Sequence, residues 1–253
     1  MKKILLILSI VLLTALFYGC EKQTDEFVAV SKPIAKEELS EWDKIVQRNE
    51  LKVGVPTTAD TFDNALIDAF AAELEIAVTK VIVPRDADAL TKIQDGTVDM
   101  LWGQLPATSD TSTAFRLSTP YFNSTILYLT KDQDFVLDKT SVVGVMTDSA
   151  EEISVTNYYD TVYSYSTENE LFYALNSGIC DVILYNKALY ENNSRKSDSL
   201  HIIKEVPYEL VVAFEQNNVA TCTEVEKILA KIKANGRASE ICLDWYPVDL
   251  ITK

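Results

Sequence analysis

The sequence predicts an α/β clamshell of two lobes, each a mainly parallel sheet flanked by helices, joined by two hinge strands. Three observations carry this. Short apolar strands alternate with helical stretches along most of the 253 residues. One helix–glycine–strand unit occurs twice, as LTKIQDGTVDMLW and LFYALNSGICDVILY. Two Pro-Tyr pairs, Pro120-Tyr121 and Pro207-Tyr208, each open an extended apolar segment between the halves. With 47% hydrophobic residues, the chain can fill a sizeable core.

Residues 1–19 read as a lipoprotein signal peptide. Lys2 and Lys3 precede an apolar run from Ile4 to Tyr18, which is short for a spanning helix. The run ends in LFYGC, which resembles a lipobox with Cys20 as the lipidated residue. Residues 20–41 are polar and charged, a tether. Leu39, Trp42, Ile45 and Val46 share one face of a helix over 38–50. Strand 51–55, helix 62–75, strand 78–83, helix 86–96 and strand 98–105 follow. Lobe 1 is thus assigned residues 42–130 and 208–253, and lobe 2 residues 131–207.

Lobe 2 restarts the pattern with strand 141–146, a helix from Glu151, strand 161–166, helix 168–178 and strand 180–185. In the repeated unit Gly96 and Gly178 are expected as left-handed helix stops, with Asp99 and Asp181 opening the next strand. Ser149 with Glu152, Thr167 with Glu170, and Thr221 with Glu224 have the spacing of capping boxes. The last would open helix 224–236, stopped by Gly236 and followed by helix 238–246. Segments 123–132 and 208–217 are expected to cross between lobes, and two crossings over a cleft make a hinge.

Composition narrows the chemistry. Lys and Arg number 23 against 38 Asp and Glu, a formal net charge of −15. Such a surface repels phosphate backbones and anionic lipid heads, so nucleic acid is not an expected partner, and membrane contact is expected through the lipid anchor alone. Only seven glycines occur, without a nucleotide-cradling pattern. One histidine, His201, and no Cys-x-x-Cys leave no expected metal site or cofactor. His201 in an expected loop, without Gly-x-Ser-x-Gly, gives no catalytic base, and no enzyme is expected. Export would place Cys180, Cys222 and Cys242 where disulfides persist. Cys222 and Cys242 would close a short loop between the last helices, a bridge contributing roughly 3 kcal/mol. Cys180, in GICDVIL, reads as a core residue.

From about Trp42 to Tyr246 the chain resembles the family 3 extracellular solute-binding proteins, of the type II periplasmic binding fold. The pieces are IVQRNELKVGV, IQDGTVDML, LSTPYF, VVGVMTDSAEE, ALNSGICDVIL and EKILAKIKANGRASEICLDWY, in that order. The resemblance implies an amino-acid clamp: an arginine in a Thr-x-x-Arg segment for the α-carboxylate, and a second-lobe aspartate for the α-ammonium. In this chain Thr108 is followed by Thr111 where the arginine belongs, nine residues before Pro120, and Asn186 stands for the aspartate. Arg116 is five residues further on, and Gln104 and Pro106 occupy places that often carry small hydroxyl residues. Asp148-Ser149-Ala150 replaces a glycine–threonine turn, with Asp148 read as a helix cap.

Losing one partner of a buried charged pair costs roughly 2–5 kcal/mol, so a free α-amino acid is expected to bind poorly. The groups expected to line the cleft are Thr57, Asp60, Phe62, Gln104, Thr108, Thr111, Ser149 and Asn186, a set suited to a neutral or cationic polar solute. Phe62 reads as a core residue or as a stacking platform. The expectation is a monomeric, lipid-anchored binding protein of the bacterial envelope, facing the periplasm or the cell exterior. It would present its solute to an ABC-type permease or a membrane sensor. The alternative is a descendant of this fold without a small ligand, acting as an envelope interaction protein.

Overall fold

In the computed structural model, residues 38–84, 88–155, 157–192 and 199–253 are described. The expected signal peptide, the lipidation site Cys20 and the tether through residue 37 lie outside the described residues. Helix α1 (Glu41–Arg48) begins in a capping box made by Ser40 and Asp43 and ends on Asn49, which is left-handed at φ 58°. β1 (Glu50–Val55) then enters the core, and its last three residues are buried. A strand with parallel neighbours on both sides needs such an apolar run. Gly54 lets β3 approach closely, since a Cβ would lie 2.7 Å from Leu101 Cδ2 and 3.3 Å from Met100 O.

Helix α2 (Phe62–Ala71), capped by Thr61, leads to β2 (Ala77–Ile82), and α3 (Ala89–Gln94) leads to β3 (Met100–Leu101). A short helix α4 (Ser109–Ala114) and the two-residue β4 (Arg116–Leu117) follow, neither anticipated from the sequence. The first sheet is completed by β10 (Ala213–Phe214) in the order β2-β1-β3-β10-β4. β1 is parallel to β2 and β3, whereas β10 is antiparallel to β3 and β4.

The second sheet repeats this plan. β5 (Phe122–Thr130), β6 (Val142–Met146), β7 (Thr161–Tyr165), β8 (Val182–Asn186) and β9 (His201–Leu210) take the order β7-β6-β8-β5-β9. β6 is parallel to β7 and β8, and β5 is antiparallel to β8 and β9. β6 thus matches β1, and β8 matches β3. The connecting helices are α5 (Ala150–Val155) and α6 (Glu168–Ser177). A short α7 (Lys187–Glu191), not anticipated, follows β8.

The repeated sequence unit is also a repeated structural device. Gly96 and Gly178 have φ 74° and 75°. Asp99 Oδ2 accepts from Lys52 N at 2.7 Å, and Asp181 Oδ2 accepts from Val142 N at 2.8 Å. Each aspartate staples the start of one central strand to the start of its neighbour.

The crossings are shorter than the sequence suggested. The sequence pattern places residues through 130 in lobe 1, yet β5 pairs along its length with β9 inside the second sheet. The chain changes sheet at 118–121 and 211–212, where Ser118 N donates to Val212 O and Tyr121 N to Leu210 O. Polar residues on β9 misled the pattern: it is an edge strand with alternating exposure, and His201, read as a loop residue, begins it.

Helices α8 (Val219–Ala234) and α9 (Arg237–Trp245) pack Cys222, Val225, Leu229, Ile241 and Cys242 into the core around Leu51, Val53 and Phe70. The cap of α8 is Asn218 Oδ1, which accepts from Thr221 N, so the expected Thr221/Glu224 box is absent and Thr221 is a buried helical residue. The expected Cys222–Cys242 bridge is not formed, and both thiols are free and buried. Cys222 Sγ faces Leu117 O, and Cys242 Sγ faces Val248 O and Leu250 N. Three backbone groups, one at Cys222 and two at Cys242, hold the sulfurs in separate surroundings. Among the described residues no helix is long and apolar enough to cross a membrane.

Candidate functional site

The carboxyl ends of the parallel strands from both sheets converge on one cavity of about 580 Å³. Pro56 and Thr57 leave β1, Gln104 follows β3, Thr147 to Ser149 leave β6, and Asn186 ends β8. This is where open α/β sheets bind ligands. Tyr208 from β9, and Trp245 and Tyr246 at the end of α9, complete the wall. Two lining residues hold left-handed backbone without being glycine: Gln104 at φ 53° and Asp148 at φ 56°. Such strain persists where the surroundings over-determine it, and it clusters at ligand sites.

Five of the expected lining residues meet there: Thr57, Phe62, Gln104, Ser149 and Asn186. Most are committed to the fold. Gln104 Nε2 donates to Asp63 Oδ2 at 2.7 Å. Ser149 Oγ donates to Met146 O and accepts from Glu152 N, so Ser149, not Asp148, caps α5. Phe62 packs against Tyr121, Phe122 and Tyr246 as well as bordering the cavity. Asn186 caps α7 through Oδ1 and spends its amide protons on Ser124 and Tyr208.

Asp60, Thr108 and Thr111 do not line the cavity. Asp60 is exposed in the loop before α2. Thr108 and Thr111 form a capping box for α4: Thr108 N donates to Thr111 Oγ1 at 2.8 Å, and Thr111 Oγ1 donates to Pro106 O at 2.9 Å. The threonine at the position where the resemblance implies a guanidinium is therefore a turn-locking hydroxyl. Arg116 does not take over, since its Nε donates to Gln216 O at 3.0 Å.

Of the charges of the cavity the sequence points to Asp148 alone, and there a helix cap is the expected role. Asp63, Asp148, Glu151 and Glu168 line it, and no Lys, Arg or His does among the described residues. Asp63 is nearly buried, and its carboxylate is held by the Tyr121 hydroxyl at 2.6 Å and by Gln104. Glu168 accepts from the Tyr185 hydroxyl. Glu151 differs. It is 7% exposed, and its Oε1 has no hydrogen-bond partner. Burial pushes its carboxyl above the usual glutamate range, opposed only in part by its own backbone amide and the Ser149 hydroxyl. Burial likewise raises the phenols of Tyr208 and Tyr246, and the negative potential of Glu151 adds to both. The one available sequence signal was an acid directly behind the Ser149 turn.

A second groove of about 640 Å³ lies beside β5 and β9, bordered by Asn123, Lys187, Glu191 and Glu209. It is larger but less enclosed in chemistry. Lys187 is already paired with Glu205 at 2.8 Å, and no buried unpartnered polar atom of the described residues borders it.

Two α/β lobes of matching topology, with a cavity at their converging strand ends, define a type II periplasmic binding protein. The chain belongs to the bacterial extracellular solute-binding proteins, family 3, whose family model matches residues 58–248. It is similar to the amino-acid-binding protein AabA of Dichelobacter nodosus, at 24% identity over 203 residues covering 74% of this chain and 79% of that protein. Among solved structures, Tv2483 bound to L-arginine has a TM-score of 0.64 at 19% identity, covering 83% of this chain and 96% of that one. A substrate-binding protein of an ABC uptake transporter from Streptococcus pneumoniae, with bound histidine, has a TM-score of 0.63 at 17% identity, covering 84% and 98%. At these identities the likeness to the solved structures is one of fold.

Proposed function

We propose that the protein is a membrane-tethered, extracytoplasmic solute-binding protein whose lobes close on a small polar solute other than an ordinary free amino acid. The observation that carries this reading is the absence of any basic side chain among the described residues that line the cleft. An α-carboxylate entering it would lose water and meet four acids, with no guanidinium to receive it. Relatives named for amino-acid binding support a solute of similar size, and a cavity of about 580 Å³ accommodates one.

Closure would follow from population shift: a solute touching both lobes favours the state in which both touch it. The hinge would be the paired crossings around Ser118–Tyr121 and Val211–Val212. The closed form would deliver the solute to an ABC-type permease or a membrane sensor. The leader and Cys20 would hold the monomeric domain at the envelope on the tether that follows. The role is one of binding, without chemistry on the solute.

The test is thermal stability and calorimetry of the full chain in non-ionic detergent against amino acids, amines and sugars. Saturable binding of a solute that is not a free amino acid is expected. No binding across the set would instead favour an interaction protein built on the same fold.

A further inference from the structure

We infer that the solute is an organic ammonium ion without a carboxylate, and that Glu151 is the group that receives it. This rests on the solute-binding reading and names the class of solute.

Three observations converge on Glu151. Glu151 is a lining residue of the cavity, and its Oε1 has no hydrogen-bond partner although the residue is more than nine-tenths buried. A buried acceptor without a donor is costly, and buried polar groups in native proteins nearly always find partners. The other enclosed carboxylate, Asp63, shows what satisfaction looks like here: a phenol on one oxygen and a side-chain amide on the other. Glu151 has the acceptor and lacks the donor, which a bound molecule would bring.

The surroundings decide the charge of that donor. A neutral hydroxyl would satisfy the lone pair, but Asp63, Asp148 and Glu168 also line the cavity, and among the described residues no Lys, Arg or His does. A cleft lined by one sign of charge concentrates the opposite sign. An ammonium brings three donors and a positive charge. Tyr208 and Tyr246 also line the cavity within the electrostatic reach of Glu151, and aromatic side chains beside a carboxylate suit a cation with an alkyl or aryl stem. The same wall disfavours the second end of an amino acid. A decarboxylated amine should therefore bind more tightly than the amino acid it corresponds to, reversing the usual requirement for a zwitterion clamp.

The experiment is calorimetry of the full chain at pH 7.5 with matched pairs: putrescine and ornithine, agmatine and arginine, tyramine and tyrosine. In at least one pair the amine should bind about tenfold or more tightly than its amino acid, and Glu151→Gln should weaken that amine by about thirtyfold or more. The comparison within pairs uses the unmodified protein and stands whether or not the variant folds. Equal or tighter binding of the amino acid in every binding pair would overturn the inference, as would an amine insensitive to a folded Glu151→Gln protein. Saturable binding of a sugar or amino acid with all amines silent would overturn it while leaving the solute-binding reading intact. Silence of every solute would overturn both.

Discussion

The Asn186 side-chain amide donates to the Tyr208 hydroxyl at 2.9 Å, tying the end of β8 to β9 across the cleft wall. The same amide donates to Ser124 Oγ at 3.0 Å, and its oxygen accepts from Leu189 N. Every polar atom of this side chain is engaged within the protein. Asn186 is thus a structural tie, at the position where the resemblance implies a ligand-binding aspartate. Asn186→Ala removes a helix cap and strands two hydroxyls, and should destabilise the protein by about 2–3 kcal/mol in urea unfolding. A loss below about 0.5 kcal/mol would show that the tie contributes nothing.

Glu151→Gln should stabilise the ligand-free protein at neutral pH. The folded-state pKa of Glu151 is raised, so the unfolded chain ionises first as pH increases. Below about pH 4.3 both states are protonated and the buried carboxyl costs the fold no ionisation energy. As pH climbs toward the raised folded value, the wild type loses stability that the glutamine variant keeps. The groups facing Glu151 do not reverse the sign: Tyr208 and Tyr246 have raised phenol pKa values and stay neutral there, while Asp63, Asp148 and Glu168 contribute negative potential. Melting temperatures of the two proteins should coincide near pH 4 and diverge by pH 7, with the variant higher. A constant difference across that range would contradict the buried, titrating carboxyl.

The two lobes should respond alike to loss of their staples. Asp99→Ala and Asp181→Ala each delete a charge-assisted bond to a backbone N–H, at about 2 kcal/mol. Asp99 also pairs with Arg48 at 2.6 Å, so its replacement should cost about 0.5 kcal/mol more. Denaturant midpoints of the two variants measure both. A tenfold smaller effect in one lobe would mean the repeat is geometric only.

Cys222 and Cys242 should remain thiols. Burial raises each to about 11, so little thiolate exists at pH 8 and the folded protein should resist alkylation. After denaturation without reductant, peptide mass spectrometry should find Cys180, Cys222 and Cys242 all alkylated. A crosslinked peptide joining 222 and 242 would contradict the separate sulfur environments.

The fold was readable where local signals and burial agreed. Gly178 after an amphipathic helix and the apolar run of β8 left one consistent assignment, and the Gly96–Asp99 repeat pointed to matching lobes. It was unreadable where pairing, not pattern, defines the element. β4 and β10 are two residues long, and β5 joins the second sheet because of its partner β9. For the site, the loops after the strands were foreseen, whereas the roles of their side chains were not. Thr111 carries no sequence mark that separates a lost ligand contact from a capping hydroxyl, and only the fold turns it toward Pro106. Asp63 and Glu151 look like ordinary first-turn acids, and their burial, with Tyr121 and Gln104 over Asp63, arises from tertiary packing that no local pattern marks.

The identity of the natural occupant tests the charge of the cleft most directly. The full chain, purified gently from its own cells and then denatured, should release a stoichiometric small molecule for mass spectrometry. A cation lacking a carboxylate is the expected result. A zwitterionic amino acid, recovered at one per protein, would contradict a site whose charged lining among the described residues is acidic.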